Sequence, residues 1–170
     1  MVRREQVDLV DARDRVVGST SLEECLQKGL LHRAVAVVVS RSTGRVVLQQ
    51  RSKKDAWHPG KWTLSCTGHV RKGESYAEAA ARELMEEIGI SADLTLLDRY
   101  LLPTMRENGL TEREWVALFA ATSDAAVRID PVELEGVKEF TPSGLKKMLS
   151  GGGLTPDSVI LLAEFMRGRR

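Results

Sequence analysis

Cysteine, net charge and long apolar runs are all scarce in this sequence. Its two cysteines, Cys25 and Cys66, make no CxxC pair and no zinc-like spacing, which argues against a disulfide scaffold. The 25 basic and 24 acidic side chains nearly cancel, to a net charge of +1, so no global field draws in nucleic acid or an anionic membrane. Arg167, Arg169 and Arg170 gather at the C-terminus, but three charges are fewer than a polybasic binding segment carries, and a solvated tail is the expectation. The apolar runs fall short of the roughly 20 residues that span a bilayer. Met1 to Asp8 is charged and lacks the apolar segment of a signal peptide, leaving a cytoplasmic location as the default expectation. There is no internal repeat. The one low-complexity stretch, Gly151-Gly152-Gly153, is too short for a linker, so residues 1–170 are expected to form a single domain.

What is present reads as a soluble α/β protein. Hydrophobic residues make up 42% of 170 and charged residues 29%, enough to bury a sizeable core. Residues 6–17 suggest two short strands around Asp11-Ala12-Arg13-Asp14, with Val7, Leu9, Val16 and Val17 as apolar positions. Ser21 to Gly29 suggests a helix capped by Ser21, with Leu22, Cys25 and Leu26 on one face. Ala34 to Ser40 is β-branched and continuously apolar, the pattern of a central strand covered on both faces, and Val46-Val47-Leu48 supplies its partner. A polar loop follows from Ser52 to Lys61, then an extended segment Trp62 to Cys66 and a polar loop from Gly68 to Gly73. Further strands are expected at 94–101, 114–121 and 136–140, and helix starts at Thr141-Pro142 and Thr155-Pro156. This order favours a mixed β-sheet sandwiched between α-helices.

The strongest helix runs from Ser75 to Ile88. Ser75 can cap it, Glu78 completes a capping box, and Gly89 supplies the stop. At about 100° per residue, Ala77, Ala80, Ala81, Leu84 and Ile88 share an apolar face. Glu83, Glu86 and Glu87 fall at i, i+3 and i+4 and share an adjoining patch. Like charges at that spacing destabilise a helix by a few tenths of a kcal/mol, and no lysine dilutes them. A divalent cation would compensate them, with oxygen donors suiting magnesium or manganese better than zinc. An ordinary solvated Glu-rich face is the better explanation of the patch until its surroundings are counted.

Those surroundings are specific. Gly68, five residues, Glu74, seven residues, then Arg82-Glu83-Leu84-Met85-Glu86-Glu87-Ile88-Gly89-Ile90 resembles the signature box of Nudix hydrolases at every fixed position over residues 68–90. The resemblance implies a Nudix fold and a loop–helix–loop in which Glu83, Glu86 and Glu87, with the backbone carbonyl of Gly68, hold Mg2+ or Mn2+. It implies that Arg82 steadies the acidic cluster. Glu74 is either a supporting carboxylate or the structural partner of Arg82. The implied reaction is metal-assisted cleavage of a diphosphate linkage in a nucleoside-diphosphate-X type small molecule, with Glu83 as first choice for the base. A homodimer is a further expectation of the resemblance.

Outside the box, Leu31-His32-Arg33-Ala34, Pro59-Gly60-Lys61-Trp62-Thr63, Gly68-His69 and Glu112-Arg113-Glu114 resemble the isopentenyl-diphosphate isomerase branch of the same superfamily. Isomerases use such histidines and glutamates to hold a metal and protonate an alkene. This chain departs from them at two chemical positions. Thr67 stands where the isomerase places its catalytic cysteine, and Cys25 where it places another metal histidine. Cys66 is one residue early and, in a strand, points to the other face; a small core residue is the expected role. A hydrolase on an isomerase-like frame is the reading, with the isomerase as its alternative.

The remaining candidates have two readings each. His32 either belongs to the site or seats a strand start. His69 lies beside the metal-site glycine, and Glu114 is either an extra ligand or base or an exposed charge on an edge strand. Arg51, Lys53 and Lys54 precede the box and can reach substrate phosphates; Trp57 and Trp62 either stack on a base or roof the core. The loops 52–61 and 104–110 are expected to read the X group, without a base-specific motif.

Overall fold

The computed structural model describes residues 5–55, 57–129, 131–132 and 134–168; residues 1–4 of the charged N-terminus, and Arg169 and Arg170 of the basic tail, lie outside the described residues. In chain order the elements are β1 (Gln6–Val10), β2 (Val16–Ser21), α1 (Leu22–Lys28), β3 (Leu31–Ser40), β4 (Val46–Arg51), β5 (Trp62–Thr63) and β6 (Cys66–His69). They continue as α2 (Tyr76–Ile88), β7 (Thr95–Leu101), β8 (Met105–Glu107), β9 (Leu110–Thr122), β10 (Leu134–Phe140), α3 (Pro142–Ser150) and α4 (Pro156–Arg167). No helix among the described residues is long and apolar enough to cross a membrane.

Strand β3 is the centre of the mixed sheet. It runs parallel to β9 from Leu31 opposite Arg113 to Ser40 opposite Thr122, and antiparallel to β1, β4 and β6. Strand alternation divides its side chains between two cores. Val35, Val37 and Val39 pack with Ala79, Ala80, Leu84 and Ile88 of α2. Ala34, Ala36 and Val38 pack with Leu145 of α3 and Leu161, Leu162 and Phe165 of α4. The expected α/β/α layering is thus observed, and the continuous apolar run of β3 is buried on both faces as its sequence implies.

The sheet opens where the site forms. Strands β3 and β4 pair only at Val39–Val47 and Ser40–Val46; farther along, β3 takes β6 as its neighbour and β4 takes β5. Ser65 holds the fork: its Oγ accepts from the Val39 N–H at 2.7 Å and donates to the Val47 carbonyl at 2.5 Å. This bond pattern splits the extended segment expected over 62–66 into β5 and β6.

Other expectations need correction. Gly68 and His69 are not loop residues but the end of β6, paired with Val35 and Ala34. Segment 104–110 is a hairpin, not a loop, because Asn108-Gly109 adopts φ of 50° and 78°, the backbone that a tight two-residue turn needs. Val16 and Val17 are 53% and 66% exposed, since β2 is a sheet edge. On α2, Ala77 and Ala81 are exposed while Ala79 is buried. The buried stripe is therefore rotated toward Glu83 and Glu87, which brings those two carboxylates to the sheet side of the helix.

Candidate active site

Helix α2 is set by its ends. Ser75 Oγ accepts from the Glu78 N–H, Glu78 returns a bond to the Ser75 N–H, and Gly89 closes the helix at φ 66°. The strand parity of β6 then matters: Cys66 and Gly68 face α2, whereas Thr67 and His69 face the other way. Glu83 lies directly over Gly68. A Cβ on Gly68 would fall inside van der Waals contact of Glu83 Cγ, Cδ and Oε1, so only glycine permits the approach.

Arg82 ties this arrangement to the preceding loop. Its Nε and Nη2 donate to the two oxygens of Glu74, both at 2.8 Å, and Nη2 also reaches the His69 carbonyl at 3.0 Å. Nη1 donates to Glu83 Oε1 at 2.5 Å and to Glu86 Oε2 at 3.3 Å. Of the two roles open to Glu74, the structure places it as the bidentate partner of Arg82. Glu87 Oε2 accepts from Gln49 Nε2 at 2.8 Å and from the Thr67 N–H at 3.2 Å. Glu86 turns outward, 48% exposed, with Arg71 at 3.5 Å. Burial raises the Glu83 carboxyl above its ordinary value despite Arg82 beside it. The half-buried carboxylates of Glu83 and Glu87, lining one pocket with Gly68, form a hard-donor set that fits a divalent cation.

Glu74 gives a pH prediction. Burial works against its ionised form, but the Arg82 bonds and the Arg71 N–H outweigh it, so its folded-state pKa is lowered. The stabilisation is therefore complete above the ordinary carboxylate range and is lost as pH falls through the depressed value. Glu74→Gln should cost about 1–3 kcal/mol at neutral pH, from hydrogen bonds to a charged partner. Thermal melts of the two proteins should converge on acidification; a gap independent of pH would contradict the pairing.

On the opposite face of the sheet, residues 82 positions apart meet, because β3 and β9 run in parallel with His32 opposite Glu114. Glu114 Oε1 lies 3.3 Å from His32 Nε2 and 3.4 Å from His69 Nε2, and the two rings stand 5.3 Å apart. All three can offer ligand atoms within 4.8 Å of one another. His32 is fully buried, and its Nδ1 sits 3.1 Å from the Leu30 carbonyl. Burial alone would push the His32 imidazole down, but Cys25 and Glu114 more than offset it, so its pKa is raised. Glu114 resists burial through the two histidines and is held low, while neighbouring Glu112 is pushed up to about 9 by burial and by Glu114. Glu114 is not on an edge: β9 has β3 on one side and β7 on the other.

A pocket of about 270 Å³ joins the two clusters, with Thr67, Gly68, His69, Glu83, Glu87, Glu112, Glu114 and Asp157 in its lining. Arg51 reaches it as its one basic side chain among the described residues apart from the histidine. The guanidinium is held by the Trp57 carbonyl at 2.8 Å and Asp55 at 2.6 Å. Lys54 instead lines an adjoining groove with Gln49 and Glu87. Trp57 forms part of the pocket wall, whereas Trp62 packs edge-on against Phe140, 5.5 Å between centroids, in the α3–α4 core. Of the two tryptophans read as candidates, Trp57 lines the pocket and Trp62 packs in the core. Cys66 is fully buried toward α2, and burial pushes its thiol well up. Thr67, not a cysteine, faces the pocket.

A family model described as the NUDIX domain matches residues 30–156. The chain belongs to the Nudix family. An isopentenyl-diphosphate Delta-isomerase of Serratia proteamaculans is 39% identical over 129 residues, covering 76% of this chain and 72% of that protein. An uncharacterized Nudix hydrolase of Pseudomonas aeruginosa is 34% identical, covering 95% of this chain and 94% of its own length. A crystal structure of a Deinococcus radiodurans protein superposes with a TM-score of 0.75 at 25% identity, covering 96% and 98% of the two chains. The Nudix relationship thus spans both hydrolase- and isomerase-named proteins, as the sequence resemblances do.

Asp157 and Gln49 were not among the sequence candidates. Asp157 sits in the first turn of α4 and reaches the pocket through packing of that helix on the sheet. Gln49 reads as an ordinary strand residue until β4 is placed beside Glu87. A polar residue continuing the apolar run Val46-Val47-Leu48 was the available signal.

Proposed function

We propose that this Nudix protein is a divalent-cation-dependent hydrolase that cleaves the diphosphate linkage of a small nucleoside-diphosphate-X type substrate. The observation that carries this reading is the pair of half-buried carboxylates, Glu83 and Glu87, in one pocket, with Glu83 packed so closely over Gly68 that a Cβ there would displace it. Glu83, Glu87 and the Gly68 carbonyl would hold Mg2+ or Mn2+, with Glu86 at the outer rim. The ion, when bound, supplies charge neutralisation for the diphosphate and acidifies the attacking water.

The chain's own groups account for the remainder. Glu83, whose affinity for a proton burial increases, accepts the proton of the attacking water. The water oxygen bonds to phosphorus, the bridging P–O bond breaks, and its electron pair leaves with the departing phosphate, which takes up a proton. Arg82 fixes Glu83 in place through Glu74 and the His69 carbonyl. Arg51, which lines both the pocket and the adjoining groove, and Lys54 of that groove neutralise phosphate oxygens. A panel of diphosphates supplied with Mg2+ or Mn2+ tests the reading by product identity. Cleavage of at least one member at the diphosphate is expected; no cleavage of any by folded protein would sink it.

The cluster of His32, His69 and Glu114, together with relatives named as isomerases, favours a second reading as an isopentenyl-diphosphate isomerase. Against it, the pocket-facing position before Gly68 is Thr67, whose hydroxyl is far too weak an acid for the proton-transfer role of a thiol. No deuterium uptake into isopentenyl diphosphate is the expected result.

A further inference from the structure

Gln49 is a polar side chain in a place built for an apolar one. It stands on β4 between Thr63 of β5 and Val137 of β10, with 1% of its surface exposed. Its Nε2 donates to Glu87 Oε2 at 2.8 Å, which fixes the orientation of the carboxamide, since the flipped amide would set two acceptor oxygens against each other. The consequence falls on Oε1. That oxygen is buried without a hydrogen-bond partner among the described residues. Gln49 lines a groove of about 440 Å³ that runs past Glu87 to Arg51, Ser52, Lys54 and Asp55. A buried acceptor without a donor is unfavourable, and an apolar side chain continuing Val47 and Leu48 would avoid that cost.

We propose that Gln49 is a positioning residue for Glu87, and that its carbonyl oxygen receives a hydroxyl or water donor carried into this groove with the substrate. The amide, with the Thr67 N–H, turns Glu87 Oε2 toward the sheet. It thereby presents the other carboxylate oxygen to the cation. The inference rests on the cation-binding reading of Glu83 and Glu87, and it adds the residue that decides how Glu87 is aimed.

Mn2+ alone is the probe, titrated calorimetrically into the native protein, Gln49→Met and Gln50→Met. Methionine keeps the unbranched shape of Gln49 but can neither donate to Glu87 nor accept strongly in the groove. Gln50 points to the other face of β4, where its Nε2 bonds to the Gly60 carbonyl, and serves as control. Gln49→Met should weaken Mn2+ binding about 10- to 100-fold, as loss of a ligand's supporting hydrogen bond does. It should also lower kcat more than it raises KM, while Gln50→Met binds Mn2+ like the native protein. Native-like Mn2+ affinity in folded Gln49→Met overturns the inference. Absence of Mn2+ binding by the native protein would overturn the cation-site reading itself, which is a different result. Should Gln49→Met not fold, the Gln49 side-chain amide signals of the native protein decide the matter: Mg2+ should shift them, and unchanged signals overturn the inference.

Discussion

Replacing Glu87 by glutamine should lower kcat for diphosphate cleavage by about 10²- to 10⁴-fold while leaving the metal-free protein as stable as before or slightly more so. The two effects have opposite signs for a physical reason. Glu83 and Glu87 are like charges one turn apart on α2, and such pairs destabilise a helix by a few tenths of a kcal/mol. Removing one relieves that repulsion, and the glutamine oxygen can still accept from the Gln49 amide and the Thr67 N–H that Glu87 now engages. The same change halves the carboxylate charge facing the pocket from α2, where only Glu83 and Glu87 line it. A loss in the range typical of acid–base and cation-supporting groups follows. Thermal melts and steady-state kinetics on one preparation separate the effects. Equal losses of stability and activity would make Glu87 a structural residue instead.

Gly68→Ala should be nearly as severe and should fail differently. The new Cβ would occupy the space of Glu83 Cδ and Oε1, so the Glu83 side chain must move. Gly68 is paired with Val35 of the central strand, and Glu83 is held by Arg82, itself bound bidentately to Glu74. Overpacking of this kind costs about 1–3 kcal/mol. Displacing Glu83 by about 1 Å is enough to cost on the order of 10²-fold in rate. Both stability and kcat should therefore fall, unlike in Glu87→Gln. A Gly68→Ala protein with native kcat would show that Glu83 can work from another position.

The box was legible because its information is local. Capping at Ser75, the stop at Gly89 and the spacing of the glutamates all lie within one loop and helix, and the helix appears with the expected ends. The rotation of that helix was not legible. Alanines are too alike for pattern alone to choose between Ala77 and Ala79, and the sheet below decides it. The pairing of His32 with Glu114 is nonlocal, set by the parallel register of β3 and β9. Sequence spacing therefore left His32 divided between two roles. The β8–β9 hairpin was within reach, since Asn108-Gly109 is a strong turn signal, but the flanking three-residue strand is too short to show a period. Gln49 carried only the weak signal of a polar residue ending an apolar run, and the splaying of β4 from β3 at Ser65 is what brings it to Glu87.

Hydrolase and isomerase differ in which bond the pocket breaks. Running the reaction with Mg2+ in water labelled with both deuterium and oxygen-18, followed by mass spectrometry of every product, reads it directly. One solvent oxygen should enter a product phosphate per turnover, with no deuterium on carbon. Carbon-bound deuterium in isopentenyl diphosphate or its isomer, with no oxygen-18 in phosphate, would contradict it.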